Sequence, residues 1–298
     1  MNGAVMATFV IVFRETLEAG LIVGIILTML ARMRAMRYAP HVWSSTALAV
    51  GLSVLAGWVL GAMTEGVQGD WQKIIEGTIS IAACGVLTYM VFWMERQARR
   101  LRPEIEEQVE TAVSRRELAA IILLPFLAVF REGAETVLFL QAVAMQSSQT
   151  ASLQGGLLGA GLAIGVTATV FIGGRRVPLK PLFRTTGVLL LLIASGLLAY
   201  GIHELQELGW IPTLVYPVWD INHLLNERAG IGSFLKALFG YNGNPSLIEV
   251  IAYAVYLSVI TFMLRQKRRP DPVPASAPTA AQACSAKSIE LEEAGALR

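Results

Sequence analysis

Seven stretches of this chain are apolar for about 20 residues each, long enough to cross a bilayer as helices, and two of them carry the same charged signature near their centres. Arg14-Glu15-Thr16-Leu17-Glu18 and Arg131-Glu132-Gly133-Ala134-Glu135 each follow a Val-Phe pair. A charge at the centre of a membrane-spanning helix costs roughly 2.5 to 3.5 kcal/mol on insertion scales. Six such residues in two matched sets therefore demand a use.

The composition agrees with a membrane protein. Hydrophobic residues make up 54% of the chain and charged residues 15%, outside the range of soluble domains. The net charge of +2 gives no ground for a nucleic-acid partner; membrane lipid is the expected surroundings. Cys84 lies in an apolar segment and Cys284 in the tail, so neither a disulfide framework nor a thiolate site is expected. The first apolar stretch begins almost at Met1, without the basic lead-in of a cleaved signal, and is expected to be a retained helix.

The predicted spans run approximately over 4–31, 42–63, 73–94, 118–145, 153–174, 182–203 and 246–264. Arg32, Arg34 and Arg37 follow the first, and Arg96, Arg99, Arg100, Arg102, Arg115 and Arg116 the third. Arg175, Arg176 and Lys180 follow the fifth, and Arg265, Lys267, Arg268 and Arg269 the seventh. Basic residues mark cytoplasmic connections, so the N-terminus is expected outside and the C-terminus inside the cytoplasmic (inner) membrane. The other connections are acidic or uncharged, with Glu65 and Asp70 in the first and Glu204, Glu207, Asp220 and Glu227 against Arg228 and Lys236 in the last.

Between spans three and four, Ile105, Val109 and Val113 recur at helical spacing among charges, which predicts an amphipathic helix on the cytoplasmic surface. The outer connection 204–245 holds Trp210, Tyr216, Trp219 and Phe234 and is expected to be ordered at the membrane interface. Ser246 and Glu249 form a Ser-x-x-Glu capping box at the start of the last span. Residues 266–298 turn Pro- and Ala-rich, as in a disordered cytoplasmic tail. The expected architecture is all-α: a transmembrane domain over 1–265, with repeat halves at about 4–94 and 118–203 and a seventh helix.

The two signatures sit on helices of opposite direction, so spans 1–3 and 4–6 form an inverted-topology pair, an architecture that puts substrate sites near the midplane. Within each signature the Arg and the second Glu share a helix face. Arg14 is expected to pair with Glu18, and Arg131 with Glu135, leaving Glu15 and Glu132 less compensated. A single such pair reads equally well as a helix-locking ion pair; its duplication favours a conduction site. Four carboxylates suit a hard cation, whereas Cu(I) or Zn(II) would call for Cys, Met or His. Met90 and Met94 share a face, which fits packing better than a metal relay.

Toward the outside, Glu76 lies beside Lys73, and His203, Glu204 and Glu207 cluster at the end of span six, with Asp220 and His223 further on. Glu76, His203, Glu204, Glu207, Asp220 and His223 are candidates for cation entry, and equally for interfacial ion pairs and solvated helix ends. Gly57 and Gly61 in span two and Gly155, Gly159 and Gly161 in span five suit close helix contacts within or between chains.

Seven spans with Arg-Glu-x-x-Glu in the first and fourth resemble the oxidase-dependent iron permeases, which include the fungal high-affinity permease and the bacterial Efe-type iron-uptake permease. The stretch from Pro217 to Glu249, with Gly240-Tyr241-Asn242-Gly243-Asn244-Pro245, is similar to the bacterial branch. The resemblance implies iron import, with Glu15, Glu18, Glu132 and Glu135 as iron-handling ligands and Arg14 and Arg131 as their partners. It implies no permanently bound cofactor, and a partner outside the membrane that oxidises or delivers iron: a multicopper oxidase or Efe-type periplasmic proteins. Manganese, calcium or proton-coupled carriers could use the same carboxylates. An intramembrane glutamate-dependent enzyme is disfavoured by the lack of a midplane histidine. A seven-span receptor has no need of a repeat.

Overall fold

A computed structural model of the chain describes residues 3–64, 66–97, 101–146, 149–171, 179–223, 225 and 230–266. Glu65, Glu227, Arg228, Cys284, the basic segments 98–100 and 172–178, and the tail beyond Gln266 lie outside the described residues, as do the side chains of Arg96, Arg102 and Lys180. Two compact units divide after Leu257; the second, Ser258–Arg298, is described only as the end of the last helix.

The described secondary structure is helical. The helices are α1 (Gly3–Arg32), α2 (Ala39–Thr64), α3 (Asp70–Gln97), α4 (Leu101–Ser114), α5 (Leu118–Met145), α6 (Gln149–Phe171), α7 (Leu179–Glu207), α8 (Gly230–Phe239) and α9 (Leu247–Gln266). A 3-10 turn, Met36–Tyr38, leads into α2. Five regions are long and apolar enough to cross a membrane: Met36–Thr64, Asp70–Met94, Ser152–Phe171, Pro181–Glu207 and Leu247–Gln266. On α2 and α6 large apolar side chains such as Val54, Trp58, Leu157 and Ile164 are exposed, the surface expected of helices solvated by lipid. The protein is a multi-pass membrane protein. Helices α1 and α5 are as long as these five but carry the signature charges within their apolar runs.

Helix pairing follows small residues. Ser45, Ala49 and Ser53 are buried on α2, which packs on α5. Gly155, Gly159 and Ala163 occupy α6, which packs on α1. Without lipid-driven segregation, close backbone approach supplies the packing energy between such helices. A Cβ at Gly155 would run into the Val5 carbonyl, and one at Gly159 would lie 2.6 Å from the Phe9 carbonyl oxygen. A Cβ at Gly57 would crowd Val137 at 3.2 Å, whereas one at Gly61 or Gly161 would meet nothing within 4 Å. Helices α3 and α7 pair through a core that holds Ala83, Cys84, Leu87 and Met90 together with Leu190, Ile193, Ala194 and Leu197.

The amphipathic α4 buries Ile105, Val109 and Ala112 against α1 and α5. In the connection 204–245, α8 packs on α1 and α7, with Leu238 in the same core as Ile11 and Leu190. Its end is fixed by Gly240, whose positive φ of 66° lets its N–H reach the Lys236 carbonyl at 2.9 Å. A Cβ at Gly196 of α7 would lie 2.7 Å from the Gly240 Cα, so this helix end nests against α7 backbone. The expected interfacial connection thus includes an element inside the bundle. Trp210, Tyr216 and Trp219 of the same connection are exposed.

Candidate metal centre on the two signature helices

Helices α1 and α5 pack on each other and carry the two signatures. Each is preceded by a stacked pair of rings one turn apart: Phe9 on Phe13 at 5.9 Å and Phe126 on Phe130 at 5.7 Å. Glu15, Glu132 and Glu135 each offer a carboxylate oxygen, and the three atoms lie within 4.8 Å of one another. Glu15 and Glu132 are buried, while the Glu135 side chain keeps 20% of its accessible surface. Glu18 lies outside this trio. The structure therefore brings together three of the four signature carboxylates, from both helices.

The two arginines differ despite their identical sequence setting. Arg14, 3% exposed, bridges Glu15 Oε1 at 3.1 Å through Nη1 and Glu18 Oε1 at 2.8 Å through Nη2. The second contact is close but not aligned as a hydrogen bond. Nη1 also lies 3.2 Å from the Met90 sulfur. Arg131, 44% exposed, grips Glu132 Oε1 through both Nε, at 3.1 Å, and Nη2. It reaches Glu135 only at 3.9 Å and stacks on the Trp93 ring, its Cζ 4.9 Å from the centroid. The expected Arg14–Glu18 pair is present, with Glu15 sharing the guanidinium. The expected Arg131–Glu135 pair is the weaker of two, because the Arg131 guanidinium lies against the Glu132 carboxylate.

This pairing leaves a specific remainder. Glu15 Oε2, Glu132 Oε2 and Glu135 Oε2 are buried with no hydrogen-bond partner. A buried carboxylate oxygen normally has at least one partner, and leaving it unmet costs about 1–3 kcal/mol. Three residues with such an oxygen, clustered together, are a donor set that a cation would complete.

The outer candidates divide into two groups. Glu76 accepts from Gln72 Nε2 at 2.8 Å and from the Tyr200 hydroxyl at 2.5 Å. Lys73 pairs with Glu207 at 2.7 Å rather than with its neighbour Glu76, and His203 Nε2 lies 3.3 Å from Glu207. Glu204 is half-buried on the same helix end. Asp220 instead is exposed and accepts the Asn222 N–H at 3.1 Å in a local turn, and His223 is exposed.

Glu249 is the buried carboxylate outside the signatures that the sequence marks only as a cap. The capping box is present: Ser246 Oγ accepts the Glu249 N–H, and Glu249 Oε1 accepts the Ser246 N–H, each at 3.2 Å. The same side chain also contacts His203 Nδ1 at 3.0 Å and accepts from Asn242 Nδ2 at 2.8 Å, tying α7, the 204–245 connection and α9 together. Met90, Trp93 and Tyr200 were likewise invisible as site neighbours, since nothing local in α3 or α7 points to a residue so distant in sequence.

Residues 5–267 match the model of the Iron permease FTR1 family. The chain belongs to that family. It is a transporter rather than an enzyme, which removes the intramembrane-enzyme alternative. Among its relatives, the ferrous iron permease EfeU of Yersinia pestis is 33% identical over 260 residues, covering 86% of this chain and 92% of the relative. That of Escherichia coli O6:H1 is 31% identical over 260 residues, covering 86% and 94%. No solved structure matches the chain.

Proposed function

We propose that this protein imports iron across the cytoplasmic membrane through one cation site shared by Glu15, Glu132 and Glu135, with Glu18 as the next station inward. The observation that carries the reading is that Glu15, Glu132 and Glu135, drawn from both signatures, each offer a carboxylate oxygen within 4.8 Å of the others and each hold a buried oxygen without a hydrogen-bond partner. Counted as charged, the four glutamates and two arginines leave two negative charges uncompensated, which a divalent ion neutralises. The relatives are named ferrous iron permeases, and the charge balance suits that ion. Manganese is the rival cargo, since hardness alone does not separate the two ions.

In this reading α1 and α5 also cross the membrane, making seven spans with the N-terminus outside, as the alternation of basic connections supports. An inverted repeat relates α1, α2 and α3 to α5, α6 and α7. Its support is that the exchange maps the principal packing pairs onto one another: α1·α6 with α2·α5, and α3·α5 with α1·α7. The small-residue seams keep register, Ser45, Ala49 and Ser53 against Gly155, Gly159 and Ala163, as do the stacked phenylalanine pairs. The pseudo-axis then passes between Glu15 and Glu132.

Direction follows from helix polarity. Helix α5 runs outward, so Glu135 lies about one turn outside Glu132; α1 runs inward, so Glu18 lies about one turn inside Glu15. A cation collected at the acidic outer ends of α3 and α7 meets the partly exposed Glu135 first, then Glu15 and Glu132. Passage onward to Glu18 requires it to displace Arg14, which holds that carboxylate. Helix α8 enters the bundle from the outer side as a re-entrant element, tolerated at depth because protein covers it. The outer connection also offers the surface for an iron-delivering or iron-oxidising partner.

Radio-iron uptake in cells stripped of their own importers tests the proposal. The wild-type chain is expected to take up iron, and the Glu15→Gln, Glu132→Gln double variant, shown to reach the membrane, is not. Equal uptake by both, or manganese uptake alone, sinks it.

A further inference from the structure

The two signature arginines are held by different means, and the difference falls on one face of α3. Arg14 is enclosed and needs no further restraint: 3% exposed, it has two carboxylates and the Met90 sulfur around it. Arg131 is 44% exposed, and a long side chain that is half open has rotamer freedom to lose. Its restraints are the Glu132 carboxylate and the face of Trp93, one turn from Met90. A guanidinium 4.9 Å from an indole centroid is within cation–π range.

We propose that Trp93 is a positioning residue of the transport site, acting through Arg131. The ring seats the guanidinium; the guanidinium takes Glu132 Oε1; and the Glu132 carboxylate, its Oε2 left without a partner, is thereby held in the cluster with Glu15 and Glu135. Without the ring, Arg131 swings among rotamers and takes Glu132 with it, so that an arriving cation must organise its own ligands. Trp93 itself offers the cation no ligand atom, since the indole nitrogen is a donor only, and the guanidinium occupies its face. The competing role for a tryptophan toward the end of an apolar helix is an interfacial anchor, which would act on insertion and not on the affinity for the cargo.

This inference rests on the iron-import reading, so it is tested by two readouts. The first is the apparent KM for iron uptake in Trp93→Tyr, Trp93→Phe and Trp93→Leu, corrected for protein in the membrane. The expected order of rising KM is Trp, then Tyr and Phe, then Leu. The Leu variant should lie about two- to fivefold above wild type, the range for a cation–π contact at a partly exposed site, with the maximal rate little changed. The aromatic variants retain ring volume and keep the series informative if the Leu variant inserts poorly. Leu equal to Phe, or a loss of maximal rate with KM unchanged, overturns the proposal.

The second readout needs no transport. Phenylglyoxal modification of Arg131, followed by peptide mass spectrometry on the full-length purified protein, should be faster in Trp93→Leu than in wild type and intermediate in Trp93→Phe. Equal rates overturn the proposal. Failure of wild-type iron uptake alongside a graded Arg131 reactivity would place the fault in the iron-import reading instead.

Discussion

Replacing Arg14 with methionine should be far more damaging than the same change at Arg131, although the two residues open identical signatures. Arg14 is 3% exposed and lies 3.1 and 2.8 Å from two buried carboxylates. Its removal leaves both uncompensated, and breaking a buried pair in this way costs about 3–5 kcal/mol. Arg131 is 44% exposed and its loss strands one buried carboxylate, Glu132, rather than two, so the expected cost is the smaller of the pair. For a bundle of this size each kcal/mol corresponds to about 2–4 °C in Tm. Thermal unfolding of the purified variants in one detergent should place Arg14→Met roughly 10 °C below wild type and Arg131→Met only a few degrees below. Adding Glu18→Gln to Arg14→Met should restore part of the loss by removing one stranded charge. Equal shifts for the two arginine variants, or a larger one at Arg131, would refute the reasoning from burial.

Three other outcomes follow from the packing and the charge pattern. Gly133→Ala puts a Cβ onto the Ser53 side chain and should destabilise by about 1–3 kcal/mol through overpacking; Ser53→Gly in the same chain should relieve it, read as recovery of Tm. Glu249→Ala strands His203, Asn242 and the Ser246 N–H, and should cost about 2–4 kcal/mol and open the 204–245 connection to protease; Glu249→Gln, which keeps an acceptor, should lose much less. Reporter fusions after Gln266 should be active only with a reporter that works in the cytoplasm, and activity from a reporter that needs export would reverse the assigned orientation.

The helices of this protein were legible in its sequence because apolar length and breaks mark them: span 118–145 coincides with α5, and the others differ by a few residues at their ends. Helix α4 was legible from Ile105, Val109 and Val113 for the same reason. Helix α8 was not, since ten residues inside a long connection give too short a pattern, and its burial depends on Gly196 and Gly240 meeting from distant parts of the chain. The signatures pointed to Glu15, Glu132 and Glu135, but their spacing could not say that Glu18 would stand apart or that Arg131 would prefer Glu132. Those outcomes depend on side-chain direction and on α3, whose Met90 and Trp93 reach the arginines only once the bundle is assembled. Glycine alone was an incomplete guide to the seams, because Ser45, Ala49 and Ser53 do on α2 what Gly155 and Gly159 do on α6, while Gly61 and Gly161 meet nothing.

The central claim is that two signatures make one site. Ferrous iron binding to the purified full-length protein, measured anaerobically by calorimetry, tests it directly. One ion should bind per chain, and Glu15→Gln and Glu132→Gln should each abolish that ion, although the residues belong to different helices. Two ions per chain, with each variant removing only one, would contradict the account and make the signatures independent sites.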